Sequence, residues 1–324
     1  MNRDIDVLAL GEVLIDLIQY GTSDQGNPLY EANPGGAPAN VLAMLGKLGY
    51  RTSFIGKVGK DGFGRQLKEA LQEQKIDMDH LLEDEHIPTT LALVHKTADG
   101  DRDFSFYRKP GADVMLREEE VDERLFPSVR IFHVGSLSMS EEPVRSATKK
   151  ALDLAEKNGC LISLDPNLRE ALWDDLKEAH VQIGYLLQRC HILKIADNEL
   201  VWFTGKEDYE EGIAELRKQY PQIRLIALTM GKEGSRVYYK DLRVEVPAFL
   251  SDETVDTTGA GDTFCGCMLG YVLEHGLEDL KEEDLKEMLR YANAAASIVT
   301  TRKGALRSMP KKEEIEKILK EKWL

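Results

Sequence analysis

Short apolar runs alternate with longer amphipathic segments along most of the chain. The runs span five or six residues and are rich in leucine, isoleucine and valine, a pattern typical of strands that are buried on both faces of a sheet. They lie at 5–10, 53–58, 130–135, 161–165, 191–195 and 224–229. Segments with helical periodicity lie between them, at 38–48, 62–74, 141–158, 174–189 and 207–219. Strands and helices in alternation predict an α/β fold with a mainly parallel sheet and helices on both of its faces.

Two regions break this alternation and predict a second, smaller sheet. Residues 91–108 contain two strand-like runs around the turn TADGD, and in the second run Phe104 and Phe106 alternate with more polar residues, which predicts an antiparallel hairpin. Residues 17–33 are rich in turn formers and leave little room for a helix. We therefore predict an α/β domain with an inserted β-sheet lid. The predicted bounds are 1–11, 35–88 and 117–324 for the α/β domain, and 12–34 and 89–116 for the lid.

The C-terminal half contains another predicted hairpin and two charged tracts. Residues 234–247 have the strand–turn–strand pattern of a hairpin, which we expect to extend the main sheet at its edge. The tracts 281–287 and 311–322 are rich in lysine and glutamate at helical spacing. We interpret them as the solvated faces of helices and assign them no function.

The chain is acidic, and this narrows the range of partners. It carries 57 acidic and 42 basic residues, for a formal net charge of -15, and has no basic cluster. We therefore expect neither a nucleic-acid partner nor a membrane partner. No apolar stretch approaches the ~18 residues of a membrane span. Asp4, Asp6, Glu12 and Asp16 interrupt the apolar N-terminus, which a signal peptide would not tolerate, so we expect a cytoplasmic protein.

The four cysteines are too few and too scattered to predict a disulfide framework. Cys265 and Cys267 form a CxC pair, but positions two apart on a helix point away from each other, which disfavours a shared metal ion. We expect these two, together with Cys160 and Cys190, to be small residues of the core.

Two glycine-rich stretches in the N-terminal part precede predicted helices. The stretch GKDGFG at 59–64 lacks the strand–helix context of a dinucleotide site, so we interpret it as a turn before a helix. In NPGGAPANVLAMLGKLG at 33–49, Gly35 and Gly36 permit a close approach of the backbone, and Pro38 suits the first turn of a helix. Asn40 follows within that turn. This helix start is a place for a polar ligand, and a simple connecting turn is the alternative.

The stretch DTTGAGD at 256–262 is the strongest candidate for an anion-binding loop. Gly259, Ala260 and Gly261 have no bulk to shield their amides, and the apolar run that follows predicts a buried helix, so these N–H groups should lie at its N-terminus. Asp262 falls at the helix start, where an N-cap is the structural alternative. If a hydroxyl attacks a phosphoryl group, Asp262 can take its proton while the amides stabilise the transferred charge.

The stretches NPGGAPANVLAMLGKLG (33–49) and DTTGAGD (256–262) together resemble the two signatures of the PfkB, or ribokinase-like, carbohydrate kinases, in the order and at the separation that this family uses. Five further segments are similar to family segments and jointly resemble the fructokinase branch most. They are FSFYRKPGADVML (104–116), DPNLREALW (165–173), KIADNELVWFTG (194–205), LTMGKEGS (228–235) and YANAAASIVTTRKGALRSMP (291–310). The resemblance covers nearly the whole chain and implies a ribokinase-like three-layer α/β/α sandwich with a small β-sheet lid.

The resemblance implies roles for individual residues around the reacting groups. Asp262 matches the catalytic base of the family, and the amides of Gly259, Ala260 and Gly261 match its anion hole. The positions that match sugar-binding residues are Asp16, Gly35, Gly36 and Asn40, with Arg108 and Arg169 as basic positions near the sugar and the phosphates. For each arginine, an ion pair on this acid-rich surface is the alternative.

The resemblance also implies binding sites for ATP and for metal ions. The positions that match ATP-binding residues are Thr229, Gly231, Gly234 and Asn293, together with Gly259 and Gly261. Glu199 matches a glutamate that organises Mg²⁺ through water, although Ala196 replaces the asparagine of that motif and weakens the assignment. The positions that match the surroundings of a monovalent cation, expected to be K⁺ and held mostly by backbone oxygens, are Asp256, Thr258, Val299, Arg302, Gly304 and Ser308.

The implied activity is an ATP-dependent sugar kinase that phosphorylates the terminal hydroxyl of a ketohexose, converting D-fructose to fructose 6-phosphate with Mg²⁺ and K⁺. A 2-keto-3-deoxygluconate kinase is the alternative within the family, because its members share the DxNxRxxLW pattern and an aromatic-arginine lid; a ribokinase fits less well. A non-catalytic sugar-binding relative is the alternative from another class, and the intact Asp262 argues against it. Analogy also implies a homodimer joined through the lids, whose open edges would otherwise be exposed.

Overall fold

The computed structural model describes residues 3–96 and 102–322, which form thirteen strands and nine α-helices. The strands are β1 (Ile5–Leu10), β2 (Leu14–Thr22), β3 (Pro28–Gly35), β4 (Thr52–Gly59), β5 (Leu81–Asp84), β6 (Leu91–Lys96), β7 (Arg102–Tyr107), β8 (Val129–Val134), β9 (Leu161–Leu164), β10 (Ile192–Ala196), β11 (Leu225–Thr229), β12 (Ser235–Tyr239) and β13 (Leu242–Val246). The helices are α1 (Ala37–Lys47), α2 (Gly62–Glu73), α3 (Val144–Lys157), α4 (Leu176–Leu187), α5 (Asp197–Thr204), α6 (Tyr209–Gln219), α7 (Ala260–His275), α8 (Glu282–Thr300) and α9 (Lys312–Lys322).

Nine strands form the central sheet, in the order β13-β12-β11-β10-β9-β8-β1-β4-β5. The strands from β11 to β5 are parallel to one another, whereas β12 and β13 are antiparallel additions at one edge. The predicted parallel sheet and its edge hairpin are therefore confirmed. All six predicted strands of this sheet are present, and the short β5 at the opposite edge was not predicted.

Alternate residues of the central strands point into two separate hydrophobic cores. On β1, Val7 and Ala9 join the core that includes α1, α2, α7, α8 and α9, whereas Leu8 and Leu10 join the core that includes α3 to α6. A strand with both faces buried has no polar face, which explains why these segments are continuous apolar runs. The sandwich therefore has three layers, as expected. Within the described residues, no helix combines the length and apolar character needed to span a membrane.

Four strands form a separate small sheet, in the order β3-β2-β6-β7. The β6–β7 pair is the predicted antiparallel hairpin; its turn at 97–101 lies outside the described residues. The turn-rich stretch 17–33 contributes most of the antiparallel pair β2–β3, and β2 runs parallel to β6. A small β-sheet made from these two segments is confirmed, while the exact division of the chain into lid and main domain remains a prediction.

Several local predictions can be compared directly with the helix termini. Asp61 caps α2, since its Oδ1 accepts a hydrogen bond from the amide of Gly64 at 2.7 Å, so the stretch at 59–64 is a turn before a helix. The predicted helix at 174–189 begins only after Asp175, which caps α4. Helix α5 was not predicted, because its eight residues follow β10 without an intervening turn. The four cysteines are all buried and unpaired, as expected.

Helices α1 and α7 pack closely through a glycine on α7. An ideal Cβ atom placed on Gly266 would lie 2.7 Å from Cβ of Met44 and 3.0 Å from the carbonyl oxygen of Val41. Contacts this short leave no room for a methyl group, so a side chain at this position would force the two helices apart. Because α1 carries Asn40 and α7 carries Asp262, this packing also sets the distance between two predicted site residues.

We expect the substitution Gly266→Ala to lower the free energy of unfolding by about 1–3 kcal/mol, the usual cost of overpacking a filled core. Urea denaturation followed by circular dichroism measures this change. Gly62→Ala on α2 is the matched control, because the nearest atom to its Cβ would be Nη2 of Arg65 at 3.8 Å. Equal losses in the two variants would contradict the packing interpretation.

Candidate active site

A cavity of about 300 Å³ lies between the two sheets, and it brings together eight residues that were predicted from the sequence. The small sheet contributes Leu14, Asp16 and Phe106, and the remaining walls come from the ends of strands and helices of the main sheet. A crevice at the carboxyl ends of parallel strands is the usual binding place in open α/β sheets. The eight predicted residues in its walls are Asp16, Gly36, Asn40, Arg169, Thr258, Gly259, Gly261 and Asp262.

Asp262 lies in the first turn of α7 and faces this cavity. The N-cap of α7 is Gly259, with φ 79° and no side-chain cap, so the N-cap alternative for Asp262 is wrong. The carboxylate is buried, and its Oδ2 accepts a hydrogen bond from Nδ2 of Asn40 at 2.8 Å. The other side-chain atom of Asn40, the buried Oδ1, has no hydrogen-bond partner among the described residues. A buried acceptor of this kind is suited to a ligand hydroxyl.

The carboxyl groups around the cavity have raised pKa values. Burial, reinforced by the charge of Asp165, raises the pKa of Asp262 to about 6, against the opposing effects of Asn40, Lys194 and Arg169. Burial also raises the pKa of Asp16 to about 7, with an opposing contribution from Arg169. A carboxylate with a pKa just below neutral pH is mostly ionised at pH 7 and still basic enough to take a proton from a hydroxyl.

The N-terminus of α7 presents backbone amides to the same cavity. The first N–H groups of an α-helix have no intrahelical acceptor, and the helix dipole makes this end positive. The amides of Gly261 and Asp262 belong to this turn, while the amide of Ala260 makes a long hydrogen bond of 3.3 Å to the carbonyl oxygen of Thr257. This helix start is therefore suited to an anion, with Ala260 partly engaged elsewhere.

Gly35 and Gly36 hold the start of α1 against the cavity. Gly36 has φ 119°, and a Cβ there would lie 2.5 Å from the carbonyl oxygen of Glu12. A Cβ on Gly35 would lie 2.5 Å from Oδ2 of Asp16. These positions therefore require glycine both for the turn and for close contact with site residues. Oε1 of Glu12 accepts the amide of Ala37 at 3.0 Å, and burial raises the pKa of Glu12 to about 7.

Lys194 is a site residue that sequence reasoning missed. It lies on β10 with its side chain buried, and its Nζ is 3.1 Å from both carboxylate oxygens of Asp165. A Cβ on Gly261 would lie only 3.0 Å from this ammonium group, which therefore lies against the first turn of α7. Burial alone would lower the pKa of Lys194, but the charges of Asp165, Glu199 and Asp262 outweigh it and raise the pKa.

A signal for Lys194 exists in the sequence, because it interrupts the apolar run HILKI with a charge that burial would penalise. Two other wall residues, Glu12 and Asn167, follow buried strands closely, which is the position expected for a site residue in this fold. Glu12 lies in the stretch GEVLID, and Asn167 lies in the stretch DPNLR.

The two predicted arginines have different surroundings. Arg169 is exposed and lines the cavity, and it has no ion-pair partner within residues 3–96 and 102–322; its Nη1 donates to the carbonyl oxygen of Leu168 at 3.2 Å. Arg108 is buried outside the cavity walls. Its guanidinium donates to Oδ2 of Asp113 at 2.8 Å, Oγ of Ser140 at 2.9 Å and the carbonyl oxygen of Leu137 at 3.1 Å.

Arg108 therefore supports the cavity from behind instead of facing it. Its partner Leu137 is a wall residue, while Asp113 also binds the hydroxyl of Thr90. The ion-pair alternative for Arg108 describes its contacts, except that the pair is buried and not on the surface.

Of the predicted ATP-binding residues, Gly259 and Gly261 line this cavity, whereas the other four lie outside it, near the ends of β11 and the edge hairpin. Thr229 ends β11 and pairs with Ala196 of β10, and Gly231 and Gly234 form the following turn with φ 52° and 112°. A Cβ on Gly234 would lie 2.2 Å from the carbonyl oxygen of Val246, so only glycine fits there.

Asn293 fixes α8 to the hairpin next to this turn. Its Oδ1 accepts the hydroxyl of Ser235 at 2.9 Å, and its Nδ2 donates to the carbonyl oxygens of Val246 at 3.1 Å and Pro247 at 3.2 Å. The side chain is buried. These contacts position the loop after β13 whether or not a nucleotide also touches this residue.

Glu199 is buried at the start of α5, and its two carboxylate oxygens bind the backbone. Oε1 accepts the amide of Leu168 and Oε2 accepts the amide of Ala196, each at 2.8 Å. Burial raises the pKa of this carboxyl, while Lys194 opposes that effect. Each oxygen keeps a further lone pair. The arrangement fits contact with a hydrated Mg²⁺ through water better than direct ligation.

The residues predicted to surround a monovalent cation converge on the loop after α8. Oδ1 of Asp256 accepts the amide of Thr258 at 2.8 Å, and Oδ2 accepts the amide of Gly304 at 3.3 Å. Two more contacts join the rest of the set: the amide of Arg302 donates to the carbonyl oxygen of Val299 at 3.0 Å, and its Nη1 donates to the carbonyl oxygen of Ser308 at 3.0 Å. The carboxylate and carbonyl oxygens gathered here are the donor type that hard cations prefer.

Comparisons with known proteins agree with this architecture. Fructokinase-1 from Zea mays is 38% identical over 315 residues, which cover 97% of this chain and 97% of that protein. The crystal structure of fructokinase with bound ATP from Xylella fastidiosa superimposes with a TM-score of 0.88 at 28% identity and covers 98% of both chains.

A fructokinase double mutant from Vibrio cholerae, in the form that binds fructose, ADP and potassium ion, superimposes with a TM-score of 0.85 at 28% identity, covering 98% of this chain and 99% of that one. The family model described as pfkB family carbohydrate kinase matches residues 4–312 of this chain. This match spans nearly the whole chain and includes the glycine-rich stretches at 33–49 and 256–262. The protein therefore belongs to the pfkB family of carbohydrate kinases.

Proposed function

We propose that this protein transfers the γ-phosphoryl group of ATP to the terminal hydroxyl of a ketohexose and converts D-fructose to fructose 6-phosphate. The observation that carries the proposal is the position of Asp262, a buried carboxylate in the first turn of α7 beside the helix-terminal amides. A base and an anion site in one cavity are what phosphoryl transfer to a hydroxyl requires. Relatives that bind fructose with ADP, or ATP, support this choice of substrates.

In this proposal, polar groups in the cavity walls hold the sugar. Oδ1 of Asn40 is a buried acceptor with no partner in the described chain, and Asp16 offers a carboxylate from the small sheet. Carboxylates and amides bind vicinal hydroxyls well because each can make two hydrogen bonds. Phe106 from β7 adds an apolar wall. Closure of the small sheet over the sugar would exclude water that otherwise hydrolyses ATP.

In the phosphoryl-transfer step Asp262 takes the proton of the attacking hydroxyl. The amides at the start of α7 and the ammonium of Lys194 then stabilise the negative charge on the transferred group. ATP would lie along the edge formed by Thr229 and the glycines of the following turn, with its phosphates directed toward Gly259 and Gly261. The anion site thus combines backbone dipoles with one buried cation.

Two ions complete the proposal. Mg²⁺ bound to ATP would neutralise phosphate charge, with Glu199 contacting its water shell. K⁺ would lie among the oxygens near Asp256 and the loop after α8, behind the amides of the anion site. The potassium ion bound by the Vibrio cholerae relative supports this second assignment.

A 2-keto-3-deoxygluconate kinase is the second candidate, and Arg169 is the observation that favours it. Its guanidinium lies at the cavity wall without a carboxylate partner in the described chain. An acid sugar would need such a cation for its carboxylate. A ribokinase and a non-catalytic sugar-binding relative are less well supported, since the curated relative from Zea mays is a fructokinase and Asp262 is intact.

We also propose that the protein is a homodimer joined through the small sheet. Tyr20 on β2 is 59% exposed and Tyr107 on β7 is 63% exposed. Large exposed aromatic side chains and open strand edges are features that association commonly covers. In such a dimer each lid would protect the edges of the other.

The substrate assignment predicts a clear order of activities. We expect phosphorylation of D-fructose with kcat/KM at least tenfold above that of 2-keto-3-deoxygluconate, ribose or adenosine, measured by coupled ADP release with ATP and Mg²⁺. Omission of K⁺ should lower the rate, and Na⁺ at equal ionic strength is the control. A preference for 2-keto-3-deoxygluconate would select the second candidate, and the absence of ADP release with all four compounds would overturn the kinase proposal.

Replacement of the base should remove chemistry and leave binding intact. We expect Asp262→Asn to lower kcat by about 10²–10⁴-fold, the usual contribution of a positioned general base. Calorimetric titration should still detect fructose and ATP, because the asparagine keeps the size of the side chain. Near-normal turnover in the variant would exclude Asp262 as the base.

The pH dependence should report the same carboxyl group. Because the base acts only when ionised, kcat at saturating fructose should fall as the pH drops through about 6, the raised pKa of Asp262, whereas kcat/KM should also reflect Asp16, whose pKa is raised to about 7. The positive charge of Lys194 lowers this pKa, so Lys194→Met should move the acid limb to higher pH and lower kcat about 10²-fold. Lys218→Met, at an exposed site on α6, is the control and should change neither quantity. A limb that stays in place in Lys194→Met would contradict this assignment.

A further inference from the structure

A second cavity of about 290 Å³ lies at the other end of α7, far along the helix from Asp262. It is bounded by the segment after α1, the C-terminal half of α7, and parts of α8 and α9. This volume is at the lower end of the range for small-molecule sites. Its walls are dominated by three tyrosines and three glutamates: Tyr50, Tyr271, Tyr291, Glu274, Glu287 and Glu316.

Two of the tyrosines are fixed by hydrogen bonds or ring contacts. The hydroxyl of Tyr50 lies 2.9 Å both from the carbonyl oxygen of Gly270 and from Oε1 of Glu274. The ring of Tyr271 stacks on His275 with centroids 4.1 Å apart and an interplanar angle of 18°. The aromatic walls are therefore largely pre-formed, and a ligand would not have to order them.

Tyr291 is different, because its hydroxyl oxygen is buried and has no hydrogen-bond partner among the described residues. A buried hydroxyl without a partner is unfavourable, because it has lost its hydrogen bonds to water and has gained none in the protein. Since burial raises the pKa of this phenol, with Cys267 and Glu316 adding to the effect, the group stays protonated and acts as a donor. It would be satisfied by a ligand that accepts a hydrogen bond inside the cavity.

The charge around this cavity is negative. Three glutamates line it against one lysine, Lys312, and one histidine. The carbonyl groups at the end of α7 add to this negative potential, because the C-terminal end of a helix dipole is negative. Anions are therefore disfavoured. The apolar side chains of Leu48 and Leu319 in the same walls favour an organic cation over a bare metal ion, which would require a tighter set of oxygens.

We propose that this cavity binds a small organic ammonium compound that also carries a hydrogen-bond acceptor, such as an amino alcohol. The tyrosine rings attract the cationic group, the carboxylates neutralise its charge, and the hydroxyl of Tyr291 donates to the acceptor. Quaternary ammonium groups are suited to such aromatic sites, since they have no N–H donors that need to be satisfied. This site is separate from the sugar and nucleotide sites and does not depend on the proposed kinase substrate.

The test compares three probes on the full-length protein by calorimetry and by ligand-observed NMR at fixed ionic strength. Choline carries the cation and the hydroxyl, 3,3-dimethyl-1-butanol is its neutral isostere, and tetramethylammonium is the cation without the hydroxyl. We expect saturable binding of choline, with the neutral isostere at least tenfold weaker. Equal affinities for choline and the isostere, or no saturable binding of choline, would overturn the proposal.

Two variants locate the binding. Tyr291→Phe removes only the unpartnered hydroxyl, so the fold should be retained; it should weaken choline severalfold and leave tetramethylammonium unchanged. Glu274→Gln should weaken both cations. The matched control is Tyr185→Phe on α4, outside these walls, which should alter neither affinity. If choline binds all three variants as it binds the unmodified protein, the site lies elsewhere and the proposal fails.

Discussion

The hydrogen bond from Asn40 to Asp262 is the contact on which the arrangement of the candidate site depends. It joins α1 to α7 at the points where both helices begin, next to the glycines that permit each helix to start at the cavity. Gly266, about one turn further along α7, lets the two helices approach closely near this bond. The same asparagine leaves its second polar atom for a ligand. Helix packing thus fixes a potential base and a potential sugar contact with one side chain.

Burial of several carboxylates in a chain with a formal charge of -15 would be costly without local compensation. The pair of Lys194 with Asp165 provides part of it, because the ammonium lies against the first turn of α7 and opposes the rise in the pKa of Asp262. The candidate anion site therefore includes a buried cation as well as backbone amides. The buried lysine places one positive charge beside the first turn of α7 despite the global charge.

The sequence predicts what depends on local pattern and misses what depends on distant contacts. The parallel sheet, the small sheet and the helix start at Gly259 follow from periodicity and from glycine-rich turns, because those signals lie within a few residues. The bond between Asn40 and Asp262 spans 222 positions, so local pattern could not predict it, and only the family resemblance assigned both residues to one site. Arg108 shows the reverse case: its motif suggested a ligand contact, whereas Asp113, five residues away, holds it in the interior.

Helix α7 offers one physical explanation for the two cavities and for their opposite preferences. At its N-terminus the amides and the dipole favour anions, and this end carries Asp262 and faces Lys194. At its C-terminal half the carbonyls favour cations, and the nearby walls supply Glu274, Glu287 and the tyrosine rings. The local sequence reinforces the dipole at both ends of α7. Glycines expose the amides at its N-terminus, and glutamates and tyrosines surround its C-terminal half. A ligand at the second cavity would thus contact the same helix that positions the candidate base Asp262, so α7 would physically link the two cavities.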